Sequence, residues 1–461
     1  MAAARPPGPS PLATLLGAAT LRRNPALAFE RLARRYGDVV AVPLPRQTVY
    51  LLNDPELIRQ VLVADHACFT KGRALQTAKR VLGEGLLTSE GELHRRQRRL
   101  IQPAFHRQRL ARYADDMVRL ADRTSASWVD GATVDLAAEM MRLTLAVVGK
   151  TLFGADVEGD ARVVGEALTR LMLLFDLLTL PFADLFDRLP FGPSRGWQEA
   201  RERLDAIIYR LIADRRQSGD RGDLLSLLLA AQDENGGMSD RQVRDEALTI
   251  FLAGHETTAN ALTWTWYLLA QHPAVEAALH AELDRALDGR LPTFDDLERL
   301  PYTRMVIAEA MRLYPPAWAI GRRAIEAYRL GEYLIPAGSI VLISQWVTHR
   351  DSRWWPDPLR FDPTRFLPEV AAARPKLSYF PFSAGPRVCI GESFAWTEAM
   401  LLLATLAQRW RVRLVAGHPV ETLPAVTLRP RFGLRVTLHR RAALAASGRQ
   451  WIDADGSKQF E

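Results

Sequence analysis

Apolar residues recur at helical spacing through most of the chain, and short β-rich runs interrupt them near both ends. Residues 25–36 have the period of an amphipathic helix. They lead into "DVVAVPLPRQTVYLLND", two β-rich runs about a Pro-containing turn, which predict a hairpin. From Pro55 to about Trp128 the pattern is helical with an arginine-rich loop, and residues 135–230 read as helix upon helix. "AAQDENGGMSD" is a polar loop. In it Ser239, with Gln242 three residues later, predicts a capping box that opens a helix reaching about Gln271. Further helices are expected over 274–287, 294–299 and 303–313, then short strands in "YRLGEYLIPAGSIVLIS". A proline-rich coil, Trp355 to Pro386, precedes a last long helix over 391–409, and "VTLRPRFGLRVTLHR" is again strand-like. The prediction is a mainly α protein with small β-sheets (α+β) and no dividing linker.

Composition changes this picture little. The 461 residues are 48% hydrophobic and 25% charged, with no low-complexity tract and no repeat at solenoid or propeller spacing. The net charge of +7 is carried almost wholly by arginine, since lysine occurs only at 71, 79, 150, 376 and 458. That skew reflects genomic base composition rather than chemistry. The charge permits a nucleic-acid ligand or an acidic protein partner. No nucleic-acid fold signature is present, so the partner is expected and nucleic acid is not. The first residues, "MAAARPPGPSPLATLLGAATLRR", hold an apolar stretch broken by prolines, too short for a membrane span and without the order of a signal peptide. The longest uncharged run, Thr257 to Val275, contains Asn, Gln, His and Pro. A soluble, cytoplasmic protein without a transmembrane anchor is expected. Its two cysteines, Cys68 and Cys389, lie in unrelated contexts, which excludes a disulfide framework and fits a reducing compartment.

Two stretches break the apolar pattern with chemistry. In "FLAGHETTANAL", His255, Glu256, Thr257 and Thr258 interrupt a run that otherwise reads as buried, where an ionised carboxylate is expensive unless paired or solvated. The letters begin a His-Glu-x-x-His zinc motif, but the fifth position is Ala259, so the second ligand is missing. In "FPFSAGPRVCIGESFAWTEAM", Cys389 lies between Gly385-Pro386 and Gly391 just before a predicted helix. Glycines let the backbone approach a large flat ligand. A helix start favours a thiolate over a thiol. A thiolate on a tight loop is a metal ligand or a nucleophile, and Arg387 suits a nearby anion.

The pattern Phe382, Gly385, Arg387, Cys389, Gly391 resembles the haem-binding loop of the cytochrome P-450 superfamily, the haem-thiolate monooxygenases. Further marks extend the resemblance over most of the chain. "EAMRLYPP" carries Glu309 and Arg312 three residues apart, able to pair on one helix face, and "FDPTRF" supplies Arg365. The resemblance makes these three a structural triad that holds the cysteine loop. "GELHRRQRRLIQPAF" places His94 and Arg98 at i and i+4, where many members carry Trp-x-x-x-Arg. "AIGRRA" offers Arg322 as a propionate-binding arginine, with Arg323 the lesser candidate.

The resemblance implies a single catalytic domain over 1–461, with the proline-rich 1–20 and the tail 442–461 peripheral. Haem b (iron protoporphyrin IX) is expected between the long central helix and the cysteine loop, with Cys389 the axial iron ligand and Phe382 packed beside the sulfur. His94, Arg98, Arg322 and Arg387 would bind propionates; Ala253, Gly254, Gly385 and Gly391 would adjoin the ring. Gly254 weakens a helix by roughly 1 kcal/mol relative to alanine, and Thr257 can bond back to the Ala253 carbonyl. Both favour a local opening, where Glu256 and Thr257 would relay protons as O2 is activated. The expected activity is insertion of one oxygen atom from O2 into a lipophilic molecule of the fatty acid, terpenoid, carotenoid or polyketide class. Electrons would come from NAD(P)H through a ferredoxin or flavodoxin with its reductase, docked on the Arg95–Arg99 run. A peroxide-using or isomerising enzyme and a non-catalytic haem sensor are the alternatives, and the Glu256-Thr257 pair argues against them. "LMLLFDLLTLPFADLFDRLPF" is the expected pocket roof, the apolar loop His66–Leu87 lends parts of the pocket wall, and Trp318 and Phe432 are pocket candidates. Cys68 is expected to be an inert core thiol.

Overall fold

The computed structural model describes residues 4–44, 47–154, 194–234 and 236–441. The segment 171–191 expected to roof the pocket and the tail 442–461 lie outside the described residues. Helices build the bulk of the molecule around one central helix, Asp240–Gln271, whose 32 residues begin at the Ser239–Gln242 capping box. Nearly every side chain of this helix from Val243 to Leu269 is buried, because it is enclosed by neighbours on all sides. Leu136–Phe153, Ser194–Ser218, Pro301–Leu313 and Glu392–Ala407 all pack against it. Trp266, Leu262, Met117 and Phe153 anchor the resulting core.

A five-stranded sheet flanks this bundle, in the order Val39–Leu44, Gln47–Leu52, Ile340–Ile343, Ile320–Ala324, Phe69–Lys71. All its pairings are antiparallel except Ile340–Ile343 on Gln47–Leu52, which join through a long connection. Its own core gathers Phe69, Leu52, Val341 and Phe380, so the sheet meets the segment that leads to Cys389. A three-stranded sheet, Trp410–Leu414, Arg435–Arg440 and Thr133–Asp135, closes the far side.

The mainly α reading with small sheets therefore holds, with local differences. The arginine-rich run is not a loop but the helix Gly91–Ile101, its basic side chains spread around the axis. The element at Phe294–Arg299 is a 3-10 turn, and the next helix starts earlier than expected, at Pro301, where proline's missing N–H costs nothing. Cys68 is exposed at the end of a 3-10 turn and is not a core thiol. Among the described residues no helix is long and apolar enough to cross a membrane.

Candidate functional site

Cys389 sits on a loop that the chain closes upon itself. Its amide donates to the Phe382 carbonyl at 2.9 Å and that of Val388 to the Gly385 carbonyl at 3.0 Å. Gly385 has φ +72°, and a Cβ there would lie 2.0 Å from the Leu62 carbonyl oxygen, so only glycine fits. Phe382 packs on Trp396 of the following helix, ring centroids 6.0 Å apart. The cysteine is exposed. Burial nonetheless pushes its thiol up, against the Gly391 amide and the Arg98 charge, which pull it down. Both properties belong to a side chain that lines a recess walled by protein. Such a sulfur keeps its proton until a metal displaces it.

Between Val243 and Trp266 the central helix is uncovered at a single turn. Ala253 is exposed and Gly254 and Thr257 are half-buried. The Thr257 hydroxyl donates to the Ala253 carbonyl at 2.7 Å and that of Thr258 to the Gly254 carbonyl at 3.3 Å. The helix runs continuously through this turn, so its uncovered surface here is a gap in what packs against it and not a break in the helix. Gly254 answers to packing instead: a Cβ there would stand 3.2 Å from the Val148 side chain on Leu136–Phe153.

Glu256 accepts a hydrogen bond from the hydroxyl of Thr427, next to the strand Leu428–Pro430. The Thr427 oxygen in turn accepts from Asn260 Nδ2 at 3.1 Å. An amide NH2 can only donate, so the single proton of Thr427 is committed to Glu256. This answers why the acid is tolerated: it is tied to the terminal hairpin by a partner far off in sequence. His255 meets the Phe251 carbonyl at 2.9 Å through Nδ1, and burial lowers its pKa, which keeps it neutral.

Beside the cysteine loop, four cationic side chains surround His94. Lys71, Arg387, Arg98 and Arg322 all act on this imidazole, whose pKa falls to about 4, burial being the larger cause. Strand pairing sets Lys71 opposite Arg322. The Arg322 guanidinium is buried and drops to about 10, first through burial and then through Arg387. Lys71, also buried, drops to about 7 for the same first reason, its Nζ donating to the Leu86 and Ser89 carbonyls at 2.7 and 2.6 Å. Arg98 Nη1 donates to the Val388 carbonyl at 2.7 Å, tying the arginine-rich helix to the cysteine loop. Against these cations stands the carboxylate of Glu90, bound by Arg387 Nη2 at 2.6 Å. Arg387 Nη1 is buried and has no partner. Clustered cations, Lys71 and Arg322 buried and Arg387 with an unpartnered Nη1, together with a cysteine on the neighbouring loop fit a ring carrying two carboxylates and a central metal.

Glu309, Arg312 and Arg365 form a second charged group. Arg312 and Glu309 are fully buried, bonded through Nε and Nη2 at 2.6 and 2.7 Å. Arg312 also donates to the His349, Pro358 and Arg360 carbonyls, so all five of its donors are used. Arg365 Nε lies 3.4 Å from Glu309.

Several sequence readings need correction. The Arg95–Arg99 run is partly paired: Arg95 with Glu92, Arg96 and Arg99 with the single carboxylate of Asp233, while Arg98 turns inward and Arg95 and Arg99 stay exposed. Trp318 stacks on Phe29 and donates to the Ala425 carbonyl at 2.8 Å, a clamp on the terminal hairpin. Phe432 is 51% exposed between two strands. Arg323 is exposed, as befits the lesser candidate. Sequence reasoning missed Lys71, Glu90, Asn260 and Thr427. Lys71 alone left a trace, as one of only five lysines in an arginine-dominated chain.

A family profile described as Cytochrome P450 matches residues 6–434. The chain belongs to the cytochrome P450 family. This P450 is 44% identical over 429 residues to the Cyclooctatin synthase of Streptomyces melanosporofaciens, covering 92% of each chain. It is 42% identical to the Cyclooctat-9-en-7-ol 5-monooxygenase of the same organism, over 83% of this chain and 84% of that one. With the Pentalenene oxygenase of Streptomyces avermitilis it shares 37% identity, over 91% and 94% of the two chains. The solved cytochrome P450DA heme domain superposes with a TM-score of 0.86 at 28% identity, covering 96% of this chain and 99% of that one. The P450 is therefore a haem-dependent monooxygenase that uses O2, a hydrophobic substrate and a supply of electrons.

Proposed function

We propose that this P450 oxidises a terpenoid, receiving electrons from a ferredoxin or flavodoxin with its reductase. The observation that carries the reading is near end-to-end similarity to three proteins whose names refer to cyclooctatin, cyclooctat-9-en-7-ol and pentalenene. A cytoplasmic location and haem b as the cofactor belong to the same proposal.

In this reading Cys389 ligates the iron, Phe382 shields the sulfur, and Arg322, Arg387, Arg98 and neutral His94 hold the propionates, with Lys71 beside them. When bound, the haem supplies oxygen activation, the thiolate favouring O–O cleavage. Thr257, at the opening of the central helix, orders water and offers its hydroxyl there. Glu256 supplies the proton, and because Thr427 holds one of its oxygens, delivery requires that bond to lengthen or exchange with water. Glu309, Arg312 and Arg365 fix the loop that carries Cys389.

The test combines wild type and Thr257→Ala with carrier proteins, NADPH and a panel of cyclic terpenes and terpene alcohols, following product, peroxide and NADPH together. The proposal expects a substrate-induced spectral shift and a product heavier by one oxygen. Thr257→Ala should still consume NADPH but release peroxide, a defect chiefly in kcat. A shift and product only with fatty acids would overturn the terpenoid reading; unchanged coupling in Thr257→Ala would overturn the role of Thr257.

A further inference from the structure

The helices Pro11–Leu16 and Ala18–Arg23 bury none of their side chains. Leu12, Leu15 and Leu16 are 65%, 69% and 77% exposed. At i, i+3 and i+4 they share one helix face, and none of them joins a hydrophobic cluster of the described residues. A single exposed leucine needs no explanation, but a contiguous group of three does.

The segment is not a loose tail. The Ala41 amide donates to the Pro7 carbonyl at 2.8 Å, and Gly8 lies so close to that strand that a Cβ would come 1.9 Å from the Ala41 carbonyl oxygen. At the other end Asn24 Nδ2 donates to the Thr422 hydroxyl at 3.1 Å, and Arg431 donates to the Arg23 carbonyl at 3.0 Å. Both ends are pinned to the body, so the leucines are held outward.

Charge decides what they meet. Residues 6–21 carry no ionisable side chain, Arg5, Arg22 and Arg23 flank them, and the first acidic residue of the chain is Glu30. Arg23 is 77% exposed and its acidic neighbour, Glu421, is 4.0 Å away. A second copy of this chain would oppose like charge to like charge, whereas an anionic lipid surface complements both the arginines and the leucines.

We propose that Pro11–Arg23 docks the protein on an anionic membrane surface, with Leu12, Leu15 and Leu16 entering the boundary between headgroups and acyl chains and Arg22 and Arg23 lying against phosphates. Among the described residues no helix is long and apolar enough to span the bilayer. The docking rests on this segment alone and is independent of the substrate.

The test is co-sedimentation of the full-length haem protein with phosphatidylcholine vesicles, with and without phosphatidylglycerol, at low and high salt. Binding should require phosphatidylglycerol and weaken with salt. Arg22→Gln and Arg23→Gln should each lower the partition coefficient about fivefold. The double variant Leu15→Asp, Leu16→Asp should abolish binding and leave the melting temperature and haem spectrum unchanged. Three results would overturn the proposal. One is wild type left in the supernatant with phosphatidylglycerol vesicles. Another is a double variant that melts lower yet binds as before, which would make the leucines part of the chain's own packing. The third is a concentration-dependent dimer, lost in the double variant, with no vesicle binding, which would make a second copy the occupant.

Discussion

Two groups of buried and half-buried arginines differ in how their charge is met. Arg312 spends all five donors, two of them on the fully buried Glu309. Around His94, four cations face one Glu90 carboxylate, and Arg387 Nη1 is buried without a partner. A protein tolerates a buried charge when it is paired and hydrogen-bonded. Arg312 and Glu309 satisfy that condition between them, and Arg365 Nε, which makes no hydrogen bond, still lies 3.4 Å from Glu309. The second has more cations than carboxylates, an excess that suits an anionic ligand. The same residue type therefore marks structure in one place and a ligand site in the other.

Removing one partner from the closed group should have the largest effect. Arg312→Leu strands Glu309 without its main cation, and the expected loss is about 3–5 kcal/mol of stability, read by urea unfolding with or without haem. A loss under about 1 kcal/mol would end the distinction.

The open group should respond with the opposite sign in the haem-free protein. Arg322→Met removes one of several crowded cations, so apoprotein stability should hold or rise. Haem affinity should fall by about thirtyfold, for a charged hydrogen bond of about 2 kcal/mol. Haem transfer to apomyoglobin measures it. A variant that lost apoprotein stability and kept its haem would reverse the account.

The smallest effect concerns His280, a buried basic group facing Arg441, Arg411 and Arg413 that avoids a fourth charge by shedding its proton. Burial, and then those arginines, lower its pKa to about 3 from an ordinary 6.5. The folded value lies below the unfolded one, so the unfolded chain takes up the proton first as pH falls. His280 thus withdraws stability between pH 6.5 and about 3, with a slope of up to about 1.4 kcal/mol per pH unit. Stability curves of wild type and His280→Gln over this range should diverge, the variant being flatter. Parallel curves would show that His280 is not held neutral.

What the sequence revealed follows the range of the interactions involved. Helix periods, the Ser239–Gln242 cap and the Glu309–Arg312 pair are local, and all were readable. The cysteine loop was readable because its spacing is compressed into ten residues, from Phe382 to Gly391. Thr427 on Glu256 and Glu90 on Arg387 join residues 171 and 297 positions apart, which no periodicity encodes. The partner of Arg96 and Arg99 was hidden for the same reason, since Asp233, whose one carboxylate serves both, lies more than 130 positions away. Cys68 was misplaced because the absence of any ligand motif around it was read as burial, whereas the chain turns outward just before Phe69.

The central claim is that the open group and Cys389 together hold a thiolate-ligated haem. The most direct measurement is the ferrous carbon monoxide difference spectrum of wild type, Cys389→Ser and Cys68→Ser, each loaded with haem to the same extent. The account predicts the strongly red-shifted band of a thiolate ligand in wild type and Cys68→Ser, and its loss in Cys389→Ser. Persistence of that band in Cys389→Ser would contradict the assignment.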